Sequence, residues 1–422
     1  GPWSNPIFIE GADGIDSSLF FDDDGSIWYV GNFICKEALF EGHHGIYLCE
    51  LDKDTLQFKG ERTVLWEGNQ TRSKWLEAPH IYKKDGMYYL IVAEGGTFTN
   101  HSVMMGRSTE VRGPYEICPR NPIISHRHLP LNREISVTGH CDIVETQNGE
   151  WWMVLLAVRP YDPVEQVEKA KENGDIYYNL GRETFLMPVT WANDGWLISD
   201  SENGLVNTYE RKPKLEEYLF PMDDLNDEFE DSRLKFMWNT IHAPEREFYS
   251  LEERKGFLRL HLLEETLQEI CTPAFVGRRQ QHNEFLVKTA MEFYTEKENE
   301  EAGLALIQDN RYHYCFVKTR KNGKNIVRLM KVENSILEVI EEIEIEEAER
   351  VYLSIQGNAG SYSFYYGYEE RQLIPCGVRQ NAGILSSSVN DGFTGTYVGM
   401  YATANHKKSE NIADYDWFHY AI

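Results

Sequence analysis

Four hundred and twenty-two residues exceed one ordinary domain and suit two or three. Charged residues at 26% and hydrophobic residues at 41% exclude wholesale disorder. Forty-two Lys and Arg against sixty-eight Asp and Glu leave a net charge of −26, a surface that repels phosphate backbones and argues against nucleic acid as a partner.

No run approaches the roughly eighteen apolar residues that a bilayer span needs, so no membrane partner is expected. Seven cysteines (Cys35, Cys49, Cys118, Cys141, Cys271, Cys315, Cys376) are scattered with no Cys-x-x-Cys pair. That spacing opposes a zinc knuckle and a disulfide framework, favours a reducing compartment, and makes a cytoplasmic location the expectation. Aromatic residues reach 13%, enough for a β-rich core and for stacking on sugar rings, and composition leaves both readings open.

The first half of the chain repeats itself. Ser18-Leu19-Phe20-Phe21 leads through Asp22-Asp23-Asp24-Gly25 into Ile27-Trp28-Tyr29-Val30. Pro79-His80-Ile81-Tyr82 leads through Asp85-Gly86 into Tyr88-Tyr89-Leu90-Ile91-Val92. Asp142-Ile143-Val144 leads through Asn148-Gly149 into Trp151-Trp152-Met153-Val154. Each unit is an apolar strand, a tight turn tolerant of positive φ, and an aromatic strand. The glycines lie 61 and 63 residues apart, a period that predicts propeller blades of about four strands.

The phrase Gly113-Pro114-Tyr115 with Asn121-Pro122-Ile123, late in one blade, also opens the chain as Gly1-Pro2-Trp3 with Asn5-Pro6-Ile7. Residue 1 is therefore expected to stand mid-blade, with at least one blade missing before it. Residues 1–215 are assigned to the propeller. Residues 216–422 are assigned to a linker, the acidic stretch 216–231, followed by a β-sandwich. Alternation in Phe257 to Leu262, in Glu284 to Lys288 and in Tyr362, Phe364, Tyr366 and Tyr368 carries that second assignment. The fold expected is all-β.

Propellers bind ligands where the first strands of the blades converge. Asp16 precedes the first apolar strand, Glu77 stands 61 residues on, and His140 stands 63 beyond that. Their common register predicts that all three face one mouth. Two carboxylates and a histidine in an acidic, aromatic-rich pocket fit glycoside hydrolysis, in which one carboxyl protonates the leaving oxygen and a neighbouring charge raises its pKa. Gly181-Arg182-Glu183 offers either a guanidinium fork for sugar hydroxyls or an Arg tied to its neighbouring carboxylate.

Gly14-Ile15-Asp16-Ser17-Ser18-Leu19-Phe20, Glu77-Ala78-Pro79-His80, Ala93-Glu94-Gly95-Gly96-Thr97, Gly139-His140 and Gly181-Arg182-Glu183-Thr184 together resemble glycoside hydrolase family 43, in its β-xylosidase and α-L-arabinofuranosidase branch. Val276 to His282 and Thr396 to Thr403 are similar to the β-sandwich that follows the propeller in that branch.

The resemblance implies a five-bladed propeller, incomplete in this chain, performing inverting hydrolysis on the non-reducing ends of xylan-derived oligosaccharides. It implies Glu77 as general acid and Asp16 as the carboxylate that tunes it. Arg182, Thr97 and His140 are implied as substrate-binding, and His140 as the neighbour of a water-held divalent cation, Ca²⁺. A sandwich loop around Phe275 to His282 is expected to lean over the pocket.

The family's general base, an Asp of the first blade, has no counterpart here, since Asp22, Asp23 and Asp24 are hairpin residues. The chain alone is therefore expected to be inactive. The partners expected are the oligosaccharide and a separate chain bearing the missing segment, with a homo-oligomer left open. The alternative is a catalytically silent carbohydrate-binding propeller.

Overall fold

The computed structural model describes residues 2–130, 133–172, 174, 176–221 and 224–422. The chain forms two compact units, residues 1–160 with 183–217 and residues 161–182 with 218–422. The chain passes for the last time from the first unit to the second between Glu217 and Tyr218. The excursion 161–182, however, leaves the first unit in mid-sheet and is built into the second.

Three antiparallel sheets make up the described part of the first unit. β1 (Ser18–Phe21), β2 (Ile27–Ile34), β3 (His44–Leu51) and β4 (Phe58–Glu67) pair in chain order. The second sheet takes β5 (Glu77–Lys84), β6 (Met87–Glu94), β7 (Ser102–Ser108) and β8 (Glu116–Ile117), with β9 (Ile124–Ser125) also pairing β7. β10 (Ser136–Glu145), β11 (Trp151–Val158), β12 (Glu183–Trp191) and β13 (Leu197–Ser199) form the third. Meanders in strict chain order are what the repeat predicts for blades.

The turns obey their chemistry. Asp85 and Gly86 both take positive φ, at 50° and 79°, between the paired Lys84 and Met87, as a two-residue hairpin with right-handed strand twist requires. Phe20, Trp28, Val30, Ile46 and Trp66 of the first sheet pack with Ile81, Leu90, Val92 and Met104 of the second. Ile91, Val103 and Met105 of the second sheet pack with Ile143, Met153, Leu155 and Met187 of the third. Trp66 is fully buried between sheets, so truncating it to Ala costs about 3–5 kcal/mol.

In the second unit two seven-stranded sheets form the sandwich. One runs, in spatial order, Asn239–Thr240, Ala274–Arg279, Tyr397–Thr403, Glu301–Asp309, Tyr312–Lys321, Lys324–Glu333 and Ile336–Glu344. The other runs Tyr249–Ser250, Leu258–His261, Ile412–Ala421, Glu284–Glu292, Arg350–Asn358, Ser361–Glu369 and Gln372–Asn381. Tyr362, Phe364 and Tyr366 point inward as their alternation predicts.

The acidic linker is shorter than expected. Asp227 is buried, pairs its backbone with Phe418 and accepts the Trp238 indole N–H at 2.7 Å, while Phe229 is buried in the core. From Asp227 onward the stretch belongs to the sandwich, because an indole donor and an aromatic partner compensate its acidity.

Candidate active site

The loop ahead of β1 presents Asp16. Gly14 has φ +88°, and a Cβ there would lie 2.1 Å from the Asn32 carbonyl oxygen, so only glycine fits. The next amide, Ile15 N–H, donates to Asn32 Oδ1 at 2.7 Å, and Asp16 follows, solvent-exposed and left-handed at φ 53°. Asn32 is itself buried in β2, and its Nδ2 donates to the Leu76 carbonyl at 3.4 Å, one residue before Glu77. Ser18 Oγ adds a bond to the Pro79 carbonyl at 2.5 Å. One side chain thus joins the segment carrying Asp16 to the segment carrying Glu77.

Glu77 is the half-buried first residue of β5. The chain leading to it is pinned by three backbone bonds, Ser73 N to Gly68 O (3.0 Å), Trp75 N to Gly42 O (2.7 Å) and Gly95 N to Lys74 O (2.9 Å). Trp75 and Ala78 on either side both hold φ 50°. Strain of this kind, on non-glycine residues, persists only where the surroundings over-determine the backbone.

His140 is half-buried in a bulge of β10, between the pairs Gly139–Leu156 and Cys141–Leu155. Beneath it Gly139 closes on the buried His101, whose ring a Cβ at 139 would approach to 2.5 Å. His101 Nδ1 lies 3.2 Å from the Val137 carbonyl.

The register differs by one residue from the sequence expectation. Asp16, Ala78 and His140 are the equivalent left-handed residues, at φ 53°, 50° and 48°, and recur every 62 positions. Glu77 stands one place earlier. Ala78 and Pro79 oppose the single residue Val92 in a bulge of β5, as His140 stands unpaired in β10, and the hairpins that follow differ in length, Lys84 pairing Met87 across two residues and Glu145 pairing Trp151 across five. Such a bulge re-aims side chains without moving the strand.

Thr97 lies half-buried in the loop after β6. Arg182 belongs to the second unit, where its guanidinium stacks 4.2 Å from the centroid of the Phe393 ring. Glu183 is engaged by Arg159, through a bidentate pair at 2.6 and 2.9 Å. The carboxylate next in sequence is thus paired with Arg159 and not with Arg182.

Phe275 to Arg279 form no loop. Ala274–Arg279 is an interior strand with Phe275 and Val276 buried, because its apolar residues pair with Tyr397–Thr403 on one side and Asn239–Thr240 on the other.

Asp22 confirms its place in a hairpin. Lys83 Nζ donates to it at 2.7 Å and Tyr88 Oη at 2.8 Å. Burial opposes its charge, yet those bonds win and hold its carboxyl below the usual range. A carboxylate so engaged is a poor base.

The chemistry of the ligands tests a cation at His140. Among the described residues the one cluster of three His, Cys, Asp or Glu ligand atoms within 4.8 Å is Cys35, His43 and Glu67, and His140 is not in it. An imidazole alone suits Ca²⁺ poorly, so a cation beside His140 would have to take most of its ligands from water. In the cluster, His43 Nδ1 accepts the Leu39 N–H at 3.2 Å, which leaves the ring hydrogen on Nε2, 3.2 Å from Glu67 Oε1. That nitrogen offers no lone pair, since a ligating imidazole donates through its other nitrogen.

Two family models match the chain, "Glycosyl hydrolases family 43" over residues 1–197 and "Beta xylosidase C-terminal Concanavalin A-like domain" over residues 226–421. A xylosidase/arabinosidase of Butyrivibrio fibrisolvens is 34% identical over 99% of this chain and 79% of its own length. A non-reducing end α-L-arabinofuranosidase of Bacteroides ovatus is 32% identical over 99% of this chain and 74% of its own. The crystal structure of a xylan β-1,4-xylosidase from Bacillus halodurans superposes with a TM-score of 0.89 at 32% identity, covering 100% of this chain and 79% of that one. These comparisons give no support to the expectation of a missing first blade. With a family 43 model over residues 1–197 and relatives at 34% and 32% identity across nearly its whole length, the chain belongs to glycosyl hydrolase family 43.

Proposed function

We propose that the protein is an exo-acting, inverting glycosidase that releases xylose or arabinofuranose from the non-reducing ends of xylan-derived oligosaccharides. The observation that carries this is the Asn32 side chain, bonded both to the residue before Asp16 and to the residue before Glu77. It supports reading the two carboxyls as one working pair. The names of the relatives, all glycosidases, favour turnover over a silent binding role.

Glu77 protonates the departing glycosidic oxygen, and the negative charge of Asp16 keeps that proton on Glu77 until it is needed. Arg182, Thr97 and His140 bind the sugar, the guanidinium through paired donors to vicinal hydroxyls. No carboxylate among the described residues is assigned as the base that activates water, and no step is routed through a cation. Seven free cysteines support a reducing compartment.

The test is Glu77→Ala in turnover-competent protein. Activity on substrates with poor leaving groups should fall about 10²–10⁴-fold, with a far smaller loss on nitrophenyl glycosides, whose leaving group departs unprotonated. Equal losses on both would remove Glu77 from the role.

A further inference from the structure

The excursion 161–182 interrupts the third sheet of the first unit, yet it folds as part of the second and ends on Arg182. Four consecutive residues at its end are each fixed to the sandwich. Asn179 is 1% exposed, and its Nδ2 donates both to Tyr362 Oη at 2.7 Å and to the Ala382 carbonyl at 2.9 Å. Its Oδ1 accepts the Tyr161 hydroxyl at 2.6 Å. Tyr362 passes the network on to Gln280 Oε1 at 2.7 Å. The Leu180 carbonyl accepts Arg279 Nη2 at 2.6 Å.

Gly181 bridges Thr394, with so little room that a Cβ on Gly181 would lie 2.3 Å from the Gly395 nitrogen. Arg182 then donates its backbone N–H to the Phe393 carbonyl at 3.3 Å and stacks on that residue's ring. Buried amides of this kind are costly unless fully paired, and Asn179 uses both donors and its acceptor.

We propose that Asn179 is a positioning residue for the sugar-binding Arg182, both of them within the second unit. The proposal rests on the reading of Arg182 as a sugar ligand. Asn179 touches no substrate. It acts by fixing the backbone three residues upstream, where residues 178–182 belong to no helix or strand and are held by the isolated bridge of Gly181 with Thr394.

The experiment is a double-mutant cycle in turnover-competent, full-length protein, with an aryl β-xyloside as substrate and with melting and circular dichroism recorded for each variant. Asn179→Ala and the milder Tyr362→Phe, which keeps the buried ring and removes only the hydroxyl, should each lower kcat/KM by about 10- to 100-fold, mainly through KM. In an Arg182→Ala background the same changes should cost almost nothing further, because the side chain they position is gone. A purely structural role would instead cost the same factor in both backgrounds, and that additivity overturns the proposal. So does an unchanged KM in both Asn179→Ala and Tyr362→Phe. If Arg182→Ala alone leaves KM as in the wild type, the sugar-binding reading of Arg182 fails first, and the proposal with it.

Discussion

Asp16 and Glu77 are joined through Asn32, and the consequences can be measured residue by residue. Asp16→Asn removes a negative charge beside the acid, so Glu77 should ionise more readily. The alkaline limb of the kcat/KM profile should then move to lower pH. An alkaline limb that stays in place, with activity otherwise intact, separates the two residues. Asn32→Ala should leave Ile15 N–H and the Leu76 carbonyl without their partner, at a cost of about 1–3 kcal/mol in the melting of the first unit. It should also lower kcat by about 100-fold through misplacement of both carboxyls. A variant with native kcat would show that the bridge is structural only. Nothing in the sequence singles out Asn32, because its importance comes from two bonds to residues 17 and 44 positions away. His101 was equally hidden, its one signal being that Gly139 leaves no room for a side chain.

At the scale of elements, strands and turns were legible because period-two alternation and Asp-Gly or Asn-Gly turns are local chemistry. The bulges were not. Spacing placed Glu77 and His140 in one register, whereas Ala78 is the left-handed, unpaired counterpart of His140, since counting back from the turn glycines ignores the different lengths of the two hairpins. The buried Glu300 of the sandwich tests another local arrangement. Burial opposes its charge, but bonds from Thr295, Ser409, Lys297 and Asn411 outweigh that and hold its pKa at about 2, against 4.5 unperturbed. A depressed carboxyl pKa stabilises the fold above the unfolded value and loses that contribution as pH falls through the folded one. The melting temperature of the second unit should therefore drop between about pH 4.5 and pH 2. Glu300→Gln should cost about 2–3 kcal/mol at pH 7 and flatten that acid limb. An acid limb unchanged in the variant would assign it to other carboxylates.

For the whole molecule, the proposed chemistry names Glu77 as acid and Asp16 as modulator and assigns no base among the described residues. The purified chain by itself should show no xyloside or arabinofuranoside turnover above background. Robust hydrolysis by material confirmed by mass to be this chain would mean that one of its own carboxylates is the base and that the assignment of the site must change.

The sequence by itself determined the all-β class, the repeat of the first half, the sandwich that follows it and the candidate residues Asp16, Glu77, His140, Thr97 and Arg182, because these rest on periodicities and motifs that need no partner across the fold. Only the tertiary structure decided that Asn32 joins two carboxyl segments, that Glu183 pairs with Arg159, that Phe275 lies inside a sheet, and that Arg182 is held by the second unit. Each of these depends on hydrogen bonds and close packing between residues far apart in the chain. Local sequence restricts which groups are available for such contacts, but the packed backbone chooses which of them meet.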